Sequence, residues 1–121
     1  SSMKEKKADA TYLWHMVKAS QNIRTFTEAL SFEEYAADIV LVSAVERQFE
    51  ILGEAARRVS EELKAEHADI TWQKIIDLQN VIIHQYERID QDIIWNIIFV
   101  ELPPLAERLR GIVESMDAED Q

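Results

Sequence analysis

The chain has no cysteine, which excludes disulfides, thiolate nucleophiles and cysteine-ligated metals, and leaves packing as the source of stability. Such a chain suits a reducing cytosol, so a cytoplasmic protein is expected. Only two glycines and two prolines occur among 121 residues, and no P-loop can be written with them. No uncharged apolar run approaches the ~20 residues that a bilayer span needs. The opening Ser1-Ser2-Met3-Lys4-Glu5-Lys6-Lys7 has no apolar core of a signal peptide either. Ser1-Ser2 ahead of Met3 has the look of a tag-removal remnant, and Met3 is expected to be the natural start.

Basic residues are scarce as well. Thirteen Lys and Arg stand against 23 Asp and Glu, a formal net charge of −10. That balance argues against a general nucleic-acid coat protein, whose affinity comes from cationic contacts to phosphate. An RNA-directed function would need a local basic cleft, for which Arg24, Arg47, Arg57, Arg58, Arg88, Arg108 and Arg110 are the available cations. No set of His, Asp and Glu shows metal-ligand spacing, so neither metal nor cofactor is expected.

What the chain does have is a 47% apolar fraction rich in Ala, Leu and Ile, together with frequent Glu, the composition of an all-α protein. Tyr12, Leu13, Met16, Val17, Ile23, Phe26 and Leu30 recur mostly at three- and four-residue spacing and predict a first helix from about Ala8 to Leu30. Ser31-Phe32-Glu33-Glu34 fits a capping box, with Ser31 accepting from a free backbone N–H and Glu34 reaching back. A long second helix is expected after Asp38, with Ile39, Val42, Val45, Phe49, Leu52, Ala56, Val59 and Leu63 at core spacing as far as Lys64. Gly53 inside it costs up to about 1 kcal/mol relative to alanine, which points to close approach of another helix.

A third helix is predicted from Trp72 to Ile83 or Tyr86, a fourth capped by Asp90, and a last from Pro104 to about Met116. Pro103-Pro104 is expected to break or kink the fourth. The whole reads as one domain over residues 1–121, an up-down bundle of four to five helices with loose tails at 1–7 and 117–121.

The segment Leu78-Gln79-Asn80-Val81-Ile82-Ile83-His84-Gln85-Tyr86 sets four polar side chains into the most apolar helical stretch of the chain. With Ile75, Leu78 and Ile82 taken as the core stripe, Asn80 and His84 fall together on the opposite face. Being four apart they stack, and the Asn80 amide is placed to orient the imidazole. Gln79 and Tyr86 share a different edge. Gln79 and His84 diverge by roughly 140° on an ideal helix, so one chain aims both at a single phosphate only with difficulty. A second copy of the chain would resolve this, and a homodimer is expected. His15 reads as a packing residue and His67 as a loop residue.

The same segment closely resembles the R-N-x-x-x-H-x-Y signature of the HepT-like toxins in the HEPN superfamily, and Gln79 stands where that pattern has arginine. The resemblance extends from about Leu13 to Leu109. It takes in the capped turn Leu30–Tyr35, the block Val45–Ala56 around Gly53, the run Ile70–Ile76, Ile89-Asp90 ahead of Ile94-Trp95, and Glu101-Leu102-Pro103-Pro104-Leu105.

The resemblance implies a homodimeric HEPN-like bundle acting as a metal-independent RNA endonuclease toxin, with its site at a dimer cleft. Its partner would be an MntA-like nucleotidyltransferase antitoxin that transfers AMP to Tyr86. His84 would be the acid or base and Asn80 its neighbour, and Gln79 would occupy the place of the phosphate-binding arginine. The site would need no metal. Magnesium and ATP would belong to the partner.

Gln79 admits three readings. The arginine was replaced by design, because active toxins are hard to express. The chain is a naturally weak or inactive member serving as a binding or AMP-acceptor module. Or another arginine, Arg47 or Arg88 from this or a second chain, supplies the missing charge.

Overall fold

The computed structural model describes residues 2–84 and 89–119, and within them the chain is helical with no strand. Seven α-helices run α1 Met3–Thr27, α2 Phe32–Ala36, α3 Ile39–Arg58, α4 Glu61–Glu66, α5 Trp72–His84, α6 Gln91–Asn96 and α7 Leu102–Glu119, with a π-helical turn at Ile97–Glu101 between the last two. Four of them are long. α3 packs against α1 on one side and α5 on the other, and α7 lies along α1. This is the all-α class expected from the sequence. No helix among the described residues is long and apolar enough to cross a membrane.

Local chemistry sets most boundaries. α1 begins five residues earlier than Ala8, at Met3, because the Ser2 hydroxyl caps it by accepting from the Glu5 backbone N–H at 3.1 Å. The Ser31 capping box forms as read, with Ser31 Oγ accepting from the Glu34 N–H and Glu34 Oε1 accepting from the Ser31 N–H. The hydrogen bonds to Ser31 hold the Glu34 carboxyl below its ordinary pKa. Asp90 caps α6 through the Asp92 N–H.

Two expectations are corrected. The long second helix does not reach Lys64. It stops at Arg58, Val59 turns extended with ψ 138°, and Ser60 caps a separate α4. The cause lies far away in sequence: buried Asp9 on α1 accepts from the Ser60 N–H at 2.8 Å and from its hydroxyl at 2.6 Å, pulling the backbone out of helical register. Nor do Pro103 and Pro104 break the chain's helical path. They sit in the first turn of α7, directly after the π turn in which the Leu102 N–H bonds the Ile97 carbonyl. Widening the turn ahead of the prolines accommodates the two donors they lack.

The core is continuous from Leu13, Met16 and Ile23 of α1 through Val45, Phe49 and Leu52 of α3 to Ile94, Ile98, Leu102 and Leu109. Tyr35 of the short α2 is fully buried in it, stacked by Trp95, with its hydroxyl donating to Gln91, whose amide donates to Glu46 at 2.8 Å. Burial, then the nearby Glu46 charge, pushes the Tyr35 phenol pKa up.

Candidate functional site

Along α5 the buried side chains are Trp72, Ile75, Ile76, Gln79 and Ile82, so the core stripe passes through Gln79 and leaves Leu78 half-buried. Gln79 was expected at a polar edge, and it is instead only 5% exposed beneath α3. The reason is Gly53. A Cβ at that position would stand 2.4 Å from the Gln79 Cβ and 3.2 Å from the Ile75 carbonyl, so α3 and α5 touch backbone to backbone there. Close approach at Gly53, read from the sequence, is what presses Gln79 inward.

A buried amide must find partners. Gln79 Nε2 donates to Glu54 Oε1 at 3.2 Å, and its Oε1 accepts from Arg57 Nη2 at 3.1 Å. The same Nη2 donates to Asn80 Oδ1 at 3.2 Å. Glu54 also pairs with Arg58 at 3.0 Å and lies 3.6 Å from Arg57 Nε. The Gln79 hydrogen bond first, then that of Arg58, holds the Glu54 carboxyl below its ordinary pKa, and Glu54 in turn raises that of Arg58. Two guanidiniums and one carboxylate leave this patch locally cationic on a chain of net charge −10.

Asn80 and His84 are both exposed, on the outward side of α5 as read, and His84 ends the helix. Asn80 turns its carbonyl to Arg57 rather than to the imidazole. Tyr86, the proposed modification site, lies outside the described residues, as does Arg88.

The structure thus unites Gln79 and Asn80 under one guanidinium, with His84 a turn further on. Of the cations considered as substitutes for the arginine, Arg47 lies on the far part of the cleft that Gln79 lines, paired with Glu50 at 3.1 Å. Among the described residues Arg57 is the one that reaches Gln79. A signal for it was available: Arg57 follows Gly53 by four residues and so shares the face of α3 that meets α5.

His15 is corrected too. It is exposed at the mouth of that cleft, edge-on to Tyr12 with ring centroids 6.4 Å apart, rather than packed inside. Among the described residues no cluster of three His, Asp or Glu could hold a metal.

The family described as "Ribonuclease HepT-like" matches residues 16–112. A provisionally named RNase of Caldanaerobacter subterraneus subsp. tengcongensis is 30% identical over 89% of this chain and 96% of its own length. A Thermococcus cleftensis protein named "Probable ribonuclease HepT" is 30% identical over 87% of this chain and 98% of its own. Another provisionally named RNase, from Methanocaldococcus jannaschii, is 27% identical over 96% of both chains. No solved structure matches the chain significantly.

Proposed function

The chain belongs to the HepT-like ribonuclease family, and from that premise we propose that it is a toxin-type endoribonuclease of the cytoplasm, cutting RNA without metal and held in check by a nucleotidyltransferase antitoxin. The observation that carries the reading is the outward edge of α5, where Asn80, bonded by the Arg57 guanidinium, and His84 stand one turn apart.

Metal-free cleavage is a transesterification. The ribose 2′-oxygen bonds to phosphorus, the bond from phosphorus to the 5′-oxygen breaks, one group takes the 2′-proton and another delivers a proton to the leaving oxygen. Imidazole, with a reference pKa near 6.5, suits either role at neutral pH. His84 supplies one. In a homodimer with the two α5 helices facing each other, the partner's His84 supplies the other. Val81 and Ile83, 40% and 42% exposed on the same helix, support such a pairing, as does the apolar groove that Val81 lines with Leu78, Ile97 and Leu105. Cation and amide donors at Arg57, Gln79 and Asn80 balance the charge that develops on the phosphorane.

Silencing follows from the same chemistry. The Tyr86 phenol oxygen attacks the α-phosphorus of ATP, pyrophosphate leaves, and the tyrosyl-AMP places an extra negative charge and a nucleoside two residues beyond His84. ATP and its divalent metal are held by the antitoxin.

A second reading, an inactive AMP-acceptor module, is favoured by one observation: the neutral Gln79 is tucked beneath α3 where the family signature carries a cation.

Incubation of single-stranded RNA with the purified chain, its His84→Ala variant and its Gln79→Arg variant, in chelator, separates the two. Cleavage by the parent, lost in His84→Ala, supports the ribonuclease. Failure of all three to cleave refutes it, and transfer of AMP to Tyr86 by the cognate antitoxin, read as a mass gain, then becomes the function.

A further inference from the structure

We propose that Arg57 of α3 is the phosphate-binding residue of this site, supplying from a neighbouring helix the charge that Gln79 lacks, with the side-chain carbonyls of Gln79 and Asn80 as its positioning groups. The inference rests on the ribonuclease reading for its substrate, an RNA phosphodiester, and on geometry for its residue.

A guanidinium has five N–H donors in a planar fork. In Arg57 the two on Nη2 are directed at Gln79 Oε1 at 3.1 Å and Asn80 Oδ1 at 3.2 Å, both across the helix interface. Anchoring one arm on two acceptors fixes the plane of the group while its side chain stays 48% exposed. The Nη1 hydrogens have no partner among the described residues. An arginine held this way has already surrendered much of its rotamer freedom, so capture of an anion by the Nη1 arm costs less entropy. Asn80 and His84 are separated by one helical turn, a rise of about 6 Å, which is the scale of a nucleotide phosphate between a cation and an acid or base.

Gln79 reads differently in this light. Its carbonyl and amide connect Arg57 to Glu54, which at 3.2 Å is the carboxylate a guanidinium at position 79 would itself pair with. An arginine there would meet Glu54 and deprive Arg57 of one acceptor. A glutamine there leaves the Arg57–Glu54 ion pair in place at 3.6 Å and offers Nη2 a neutral acceptor beside Asn80. The cation has moved by one helix while Asn80 and His84 kept their places.

Two readouts test this on the full-length chain. The first is RNA cleavage in chelator by the parent, Arg57→Ala, Arg57→Lys and the double variant Arg57→Ala/Gln79→Arg. Arg57→Ala should lose on the order of 10²–10³ in rate, Arg57→Lys should lose less, and the double variant should recover most of the loss. The second is the salt dependence of binding to an all-2′-deoxy oligonucleotide, which cannot be cut. There Arg57→Ala should lower the slope of log K against log salt by about one, with Arg47→Ala leaving it unchanged. Cleavage and salt slope both unaltered in Arg57→Ala would overturn the proposal. A parent that does not cleave, with a slope that still falls in Arg57→Ala, would keep Arg57 as the phosphate ligand and remove the ribonuclease reading. A silent parent with an unmoved slope would remove both. Circular dichroism melts certify each variant's fold, and Arg57→Lys keeps the test alive if the alanine variant fails to fold.

Discussion

Gly53→Ala and Gly111→Ala are the same substitution in two helix interiors, and the structure assigns them opposite signs. At Gly111 on α7 an added Cβ meets nothing within 4 Å, so the variant keeps only the propensity gain of about 0.8–1 kcal/mol. At Gly53 that gain is opposed by a Cβ standing 2.4 Å from the Gln79 Cβ. Both atoms are bonded directly to backbone, so no rotamer change relieves the contact. Restoring ordinary van der Waals separation means moving α3 and α5 apart by about 1 Å, and overpacking of this kind costs ~1–3 kcal/mol, occasionally more. The net expectation is a destabilisation of up to about 2 kcal/mol for Gly53→Ala. A domain of this size should shift by roughly 3–5 °C per kcal/mol, so the two melting temperatures should move apart, Gly111→Ala upward and Gly53→Ala downward. Thermal and urea unfolding at fixed protein concentration read this directly, since assembly would make the midpoint concentration-dependent. Gly53→Ala/Gln79→Gly removes the second Cβ and should recover part of the loss at position 53. A Gly53→Ala protein as stabilised as Gly111→Ala would refute the close-contact argument, and with it the reason given for the burial of Gln79.

Asp9→Ala removes both acceptors from Ser60 and leaves its backbone N–H without its partner, so unfolding free energy should fall by about 1.5–3 kcal/mol, with Asp9→Asn intermediate, as measured by urea denaturation. Glu54 has a folded-state pKa below its unfolded value, so its contribution is present above the ordinary carboxyl pKa and is lost as pH falls through the lower folded value. Glu54→Gln should therefore flatten the acid side of the profile of melting temperature against pH, while an unchanged profile would contradict the assigned pairing.

Legibility followed distance along the chain. The caps at Ser31 and Asp90 are written in adjacent residues and were readable, as was the close approach at Gly53, because an unforced glycine in a helix has few other uses. The break at Ser60 was not readable, since the buried carboxylate that causes it lies on α1, 51 residues away. The orientation of α5 failed for another reason. Apolar residues at 75, 76, 78, 81, 82 and 83 surround nearly the whole helix, so periodicity admits two core stripes, and a glutamine looks like the wrong occupant of either. Only Glu54 and Arg57, contributed by another helix, make its burial affordable. Asn80 and His84 survived that error because their four-residue spacing holds under either rotation.

The π turn at Ile97–Glu101 makes segment length as important as segment composition. Ile94, Ile98, Leu102 and Ala106 are all buried and each is four residues from the last. On an uninterrupted α-helix, three such steps would carry the stripe about 120° around the axis, out of the core and toward solvent. The extra residue in the wide turn returns about 100° of that drift, so Ile94, Ile98, Leu102 and Ala106 stay on one buried stripe, with α7 lying along α1, despite a spacing that a regular helix could not sustain. Deleting any one residue from 97–101 would leave every side chain chemically acceptable and yet rotate α7 by about 100°, slightly more than a right angle, exposing Leu109 and Ile112. The segment therefore works as a phase corrector between two stretches of helix, and a single-residue insertion or deletion there should be tolerated far less well than a substitution.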